Sequence, residues 1–379
     1  MRRSLLLAAI ATAAFAASAA AKDGPTAAAD TATAVYRSRM AAYERMHGAY
    51  ERRAAVYWDE VAAKRRLRID KRRRGEAISL TDYVLKQPPV YTGPRRPVGP
   101  EAPPAPEQPP IPVMADFLKA AADEFGFVPD LPRSDREFKR AYAKAASAAG
   151  LTEQQIVGVY AFETGGNGSY DTQAGVTPTH AAAVSPALGY NQLLSTNTVS
   201  LLAENGDRYV ATLHAKALML RGEARRIFER KIGALKRMIA YCRSVPPHWS
   251  AYDRLAKTTA GGWGAHAAVL DIDIGPLLQV QKLLDSVQFA RAKGYTAQLS
   301  AAELELMNLT GDGNGIDMLL MPDELRAKVP TANFFQPNGY WRNPIARRAG
   351  TVASLIAEID GTIRREVQSA GARELQTVF

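Results

Sequence analysis

Ala161-Phe162-Glu163-Thr164-Gly165-Gly166-Asn167-Gly168 closes a predicted helix on a carboxylate and then stops it with glycines. Upstream, Thr152 and Gln155 have the spacing of an N-terminal capping box, so the helix starts there. Ile156, Val159 and Tyr160 follow at helical spacing, and Glu163 takes the next position of that stripe, which turns its carboxyl inward. Loss of water and the carbonyl dipoles of a helix C-terminus both disfavour the ionised form. A glutamate lifted from about 4.3 to roughly 6 keeps a proton to give to a leaving oxygen. The stretch therefore reads as a general acid; the plainer alternative is a glutamate projecting from a helix end into solvent.

Around it the chain reads as mainly α. Its 379 residues exceed one ordinary domain, and alanine is heavily used. No convincing alternating strand run and no internal repeat of 20 to 50 residues is present. Residues 1–21 read as a secretory signal peptide: Arg2-Arg3, an apolar run from Leu5 to Phe15, then Ala17-Ser18-Ala19 and Ala19-Ala20-Ala21 as cleavage sites. The mature chain is expected to be exported and periplasmic, either soluble or envelope-associated. Cys242, the single cysteine, offers no internal disulfide. A net charge of +10 points to an anionic surface or polymer, and export argues against nucleic acid.

After a spacer at 22–31, residues 32–86 form a basic helical arm. Tyr36, Tyr43, Tyr50 and Tyr57 recur every seven residues along it, a seam suited to self-association or a partner helix. The block Lys64-Arg65-Arg66-Leu67-Arg68 with Lys71-Arg72-Arg73-Arg74 reads either as an attachment to an anionic membrane or wall surface, or as a solvated helix end. Residues 87–112 are a proline-rich linker, and 113–379 a helical domain. Within that domain a helix over 197–204 is expected to stop at Gly206, and 208–243 to be one long helix or a pair. Ser300 and Glu303 form a second capping box, ahead of Leu304 and Met307.

Three patches now stand in order: Glu163-Thr164, Gly189-Tyr190-Asn191-Gln192-Leu193, and Met307-Asn308-Leu309-Thr310-Gly311. The order resembles that of the soluble lytic transglycosylase and goose-type lysozyme group, whose motifs are a Glu-Ser pair, a Gly-Leu-Met-Gln-like turn and an Ala-Tyr-Asn-x-Gly segment. The resemblance covers about 113–360. It implies a lysozyme-like α-helical domain acting on peptidoglycan strands, with Glu163 as catalytic acid, Thr164, Gly189, Tyr190, Asn191 and Gln192 on the substrate side, and Asn308 in the cleft. Thr164 replaces the serine, Asn191 the methionine, and Met307 the tyrosine that commonly faces the glutamate. In that family one glutamate acts as acid and then base while the muramyl 6-hydroxyl attacks, giving a 1,6-anhydro product.

Hydrolysis would instead employ two carboxylates. Asp171, on the loop after Glu163, is the nearby candidate, although Ser169-Tyr170-Asp171-Thr172 better suits a plain turn. Tyr340 and Trp341, in the aromatic run from Phe334, are either sugar platforms or core anchors. The five histidines make no paired-ligand spacing, no G-x-S-x-G occurs, and Gly311-Asp312-Gly313-Asn314-Gly315 reads as a turn, so neither metal nor cofactor is expected. The readings that remain are a lytic transglycosylase, a muramidase using Glu163 with Asp171, and an inactive glycan-binding or envelope scaffold.

Overall fold

The computed structural model describes residues 25–99, 110–177 and 179–379, so the signal-peptide reading and most of the proline run at 100–109 lie outside the described residues. The chain is mainly helical; β pairing among the described residues is confined to isolated bridges such as Gln173 with Leu188 and Leu188 with Leu193. A long first helix α1 (Pro25–Arg73) precedes α2 (Met114–Phe125), α3 (Asp135–Ala148) and α4 (Glu153–Thr164). Next come α5 (Ser195–Leu218), α6 (Gly222–Cys242), α7 (Trp249–Thr258), α8 (Ala260–His266) and α9 (Gly275–Ala292). The last part holds α10 (Ala301–Thr310), α11 (Asp312–Leu319), α12 (Asp323–Arg326), α13 (Pro337–Trp341), α14 (Pro344–Ala349), α15 (Val352–Glu366) and α16 (Ala370–Gln376). No helix among the described residues is long and apolar enough to cross a membrane.

Two compact units divide the chain, and not at the composition boundaries. One holds the described residues through Val56 together with 89–99; the other holds 57–88 and 110–379. In the first, the tyrosine seam is partly occupied by its own chain. Tyr91 packs edge-on to Tyr43 and His47 and tilts against Tyr50, while Val98 and Pro97 lie by Val35, Tyr36 and Arg39.

In the second unit the basic block is largely a docking device. Buried Arg68 lies over the Tyr83 ring and donates to the Asp82 and Asn333 carbonyls. Arg65 donates to the Asn333 and Phe335 carbonyls, Lys71 pairs with Asp82 at 2.8 Å, and Arg72 with Asp317 at 2.7 Å. Neither sequence alternative, solvated end or free anionic anchor, describes these four residues. The reason is a set of acceptors up to 270 residues away in the chain.

The second unit has two apolar cores. Phe138, Tyr142, Ile156, Tyr160, Leu304, Leu306, Leu355 and Ile359 belong to one; Phe117, Leu202, Leu235, Met238 and Leu270 to the other. Helix α9 serves both, Leu278 in the second and Val280 and Leu283 in the first. Pro276 sits in its first turn, where a missing N–H costs nothing. Gly206 does not end a helix: α5 continues to Leu218, and the bare Gly206 surface admits Ile239 of α6. The 208–243 stretch is thus the pair α5 and α6.

Candidate functional site

Two capped helices build the site. Thr152 and Gln155 close a reciprocal capping box on α4, and Ser300 and Glu303 do the same on α10. The helices run side by side in the same direction: Gln155 donates to the Leu299 carbonyl, Gly158 leaves no room for a Cβ against Ala301, and Glu163 meets Asn308. With any larger residue at 158 the helices would separate, and so would the residues at their far ends.

Glu163 sits in the last turn of α4. Gly165 ends that helix in the left-handed region at φ +64°, and Gly166 follows at +71° with a Cβ position pressed on the Glu366 carbonyl, so both need glycine. Gly371 donates to Asn167 and Ala372 to the Gly166 carbonyl, which ties the loop to α16.

The carboxyl of Glu163 is partly buried and accepts from Asn308 Nδ2 at 2.5 Å on Oε1. Beside it lies a carboxyl that the sequence reading passed over. Glu305 is 0 % exposed, flanked by buried Leu304 and Leu306, within hydrogen-bonding reach of Glu163. Neither of its oxygens receives a hydrogen bond from an N–H or O–H donor. Ala301, Glu305 and Asn308, four and three residues apart, share the α10 face that meets α4. That spacing, with a glutamate between two leucines, is the signal that could have found Glu305.

Burial pushes Glu163 up to about 7, against the opposing pull of hydrogen bonds from Glu305 and Asn308 and the more distant Lys282 ammonium. Burial and the neighbouring Glu163 charge push Glu305 well above the carboxylate range. Both shifts disfavour the doubly ionised pair, and the deeper carboxyl is the more strongly raised. This pair can deliver and retake a proton from its accessible member.

The other expected site residues are placed as follows. Thr164 spends its hydroxyl on the Tyr160 carbonyl of its own helix at 2.7 Å. Gly189 turns at φ +79° against the Gln279 side chain, and Asn191 is buried, accepting from Tyr142 and bonding Gln279 through both its backbone and its amide. Gln192, at φ 41°, is the one non-glycine residue with positive φ among the described residues; its amide clamps the Thr172 and Gly189 carbonyls. The turn reaches α4 through Tyr190, whose ring stands edge-on to Tyr160 at 4.8 Å. Tyr190 is 0 % exposed and donates to Asp135, so its ring is a wall of the core and not an open sugar platform.

Tyr340 is also buried, packed on Trp58 and Phe335, with partly exposed Trp341 beside it and Arg347. Of the two readings for this aromatic run, core anchor describes it. Asp171 accepts from Ser169 Oγ at 2.5 Å in its own turn and lines a separate cavity of about 570 Å³ with Met114, Thr172 and Val176. Another cavity, about 510 Å³, lies at the opposite ends of α4 and α10, lined by Gln154, Gln298 and Asp360. The Gly311 segment is not a turn alone: Gly311 hinges α10 to α11, which starts at Asp312. No group of histidine, cysteine or acidic side chains among the described residues is arranged to hold a metal ion.

No protein-family profile, curated protein or solved structure matches this chain.

Proposed function

We propose that this chain is a lytic transglycosylase, cleaving β-1,4 bonds of peptidoglycan with Glu163 as acid and then base. The observation that carries the reading is the Asn308 to Glu163 hydrogen bond, which joins the first and third patches of the resemblance on one partly accessible carboxyl. Protonated Glu163 gives its proton to the glycosidic oxygen as the bond to the anomeric carbon breaks. The resulting carboxylate takes the proton of the muramyl 6-hydroxyl as that oxygen attacks the same carbon, closing the 1,6-anhydro ring and restoring the acid. An acid near neutrality serves both halves.

Two carboxylates acting from opposite faces of a sugar stand about 5 to 9.5 Å apart. Glu305 touches Glu163 from beneath and cannot stand across a sugar from it, and Asp171 is held by Ser169. The one-carboxylate route is therefore preferred to the muramidase reading.

Product masses from purified peptidoglycan incubated with the full chain test the proposal. Anhydro-muropeptides are expected from the wild type, with Glu163→Gln slowed at least about 100-fold and Asp171→Asn within a few-fold of wild type. Reducing-end products would mean hydrolysis. Absence of any product from the wild type would leave a glycan-binding scaffold.

A further inference from the structure

Glu305 has no part in the acid and base steps, yet it is a fully buried carboxyl with neither oxygen partnered by a donor. A buried carboxylate with no donor on either oxygen is costly, whereas the neutral acid carries a donor of its own. The group within its reach is an acceptor, the Glu163 carboxylate. Asn308, one turn further along the same face, donates to that carboxylate as well. We propose that Glu305 is a positioning residue: it stays a neutral carboxylic acid at neutral pH and, together with the Asn308 amide, donates a hydrogen bond that orients Glu163 and sets the pH at which it releases its proton.

The surroundings support that protonation state. Helix α15, packed on both α4 and α10, presents apolar Leu355, Ile359 and Ile363. On α9, Lys282 is the cation acting on both carboxyls, with neighbouring Asp285 accepting from Gln281. Asp312 of α11 is engaged by Ser286. Lys139 of α3 lies by the Tyr160 ring, held by Asp135 and by Glu374 of α16. Burial and the Glu163 charge outweigh the Asn308 amide and the Lys282 ammonium, the groups that favour a negative charge on Glu305.

The role deepens the transglycosylase reading and rests on it for its catalytic consequence, but its structural content is testable without any substrate. Infrared spectra of the full chain at pH 8 are to be compared among wild type, Glu163→Gln and Glu305→Gln. A protonated-carboxyl C=O band present in the wild type and in Glu163→Gln, and absent from Glu305→Gln, is the expected result. Loss of the band in Glu163→Gln alone would give the proton to Glu163 and overturn the assignment, whether or not glycan is cleaved.

Where product forms, the alkaline limb of the pH profile supplies the second readout. Glu305→Gln keeps a neutral donor and is expected to leave the limb within a few tenths of its wild-type pH; Glu305→Leu removes the donor and moves it up by about one pH unit. An unmoved limb in Glu305→Leu, or a loss in Glu305→Gln as deep as in Glu163→Gln, would refute positioning. A banded but inactive wild type would sink the enzymatic reading and spare this one.

Discussion

Two of the places where the second unit buries carboxylates do so in opposite ways. At the start of α9, fully buried Asp271 accepts three backbone N–H groups, from Asp130, Asp273 and Ile274, and meets Lys231 at 2.9 Å. Lys231 also bonds Asp273 at 2.8 Å, and Lys216 reaches Asp273 from α5. Burial of Asp273 alone would raise its acidity constant's pH, but the two lysines outweigh it and hold the carboxyl below its usual range. At the far ends of α4 and α10, Glu163 and Glu305 have each other, an amide and a more distant lysine. In the first, Lys231 and backbone N–H groups oppose the burial that raises Asp271, and the lysines hold Asp273 ionised; in the second the opposing cation is only a more distant lysine, and a proton can move. Burial by itself does not mark a reactive acid, whereas burial without a counter-ion does.

The largest expected effect comes from breaking the compensated region. Lys231→Met strands Asp271 without its cation, and loss of about 3–5 kcal/mol of stability is expected by urea unfolding at neutral pH. Adding Asp271→Asn should recover part of it. A loss below about 1 kcal/mol would mean that the backbone N–H groups alone hold Asp271, and the contrast between the regions would shrink.

The second contrast is one of sign with pH. Glu163 titrates near 4.3 when unfolded and is raised to about 7 when folded. Its contribution is therefore fully present below about 4.3 and lost as pH rises through 7. Asp273 is lowered on folding, so its contribution is present above about 3.9 and lost on acidification. Glu163→Gln is expected to match the wild type in unfolding free energy at pH 4 and to exceed it by on the order of 1–2 kcal/mol at pH 8, the partly exposed carboxyl giving less than its full shift. Equal stabilities at both pH values would show that Glu163 is not strained by its setting.

How much of this was legible in the sequence follows from range. The capping boxes at Thr152 and Ser300, the glycine stop after Glu163 and the inward carboxyl are local features, and each stands where the residue spacing put it. Asn308 at Glu163 came from the order of motifs, not from spacing. What was not legible depends on partners far along the chain. Gly206 reads as a stop until Ile239 is seen against it, and Arg68 reads as solvated until the Asn333 carbonyl and Tyr83 ring close over it. Glu305 was hidden by its neighbour Glu303, which caps α10 and makes the stretch look like an acidic outer face. The face it shares with Ala301 and Asn308 becomes informative once α4 is known to lie on that side.

The smallest expected effect separates the two donors on Glu163. Both stabilise its carboxylate, and the Glu305 bond outweighs the Asn308 bond. Asn308→Ala leaves Glu305 in place, so the alkaline limb should move up by less than in Glu305→Leu, by about half a pH unit, with stability changed by about 1 kcal/mol or less. Asn308→Asp is the sharper variant: a third carboxyl against the pair should push the limb higher than alanine does, because like charges disfavour ionisation. If alanine moves the limb further than leucine at 305, the amide is the principal donor, and Glu305 is only a buried acid with nothing to set.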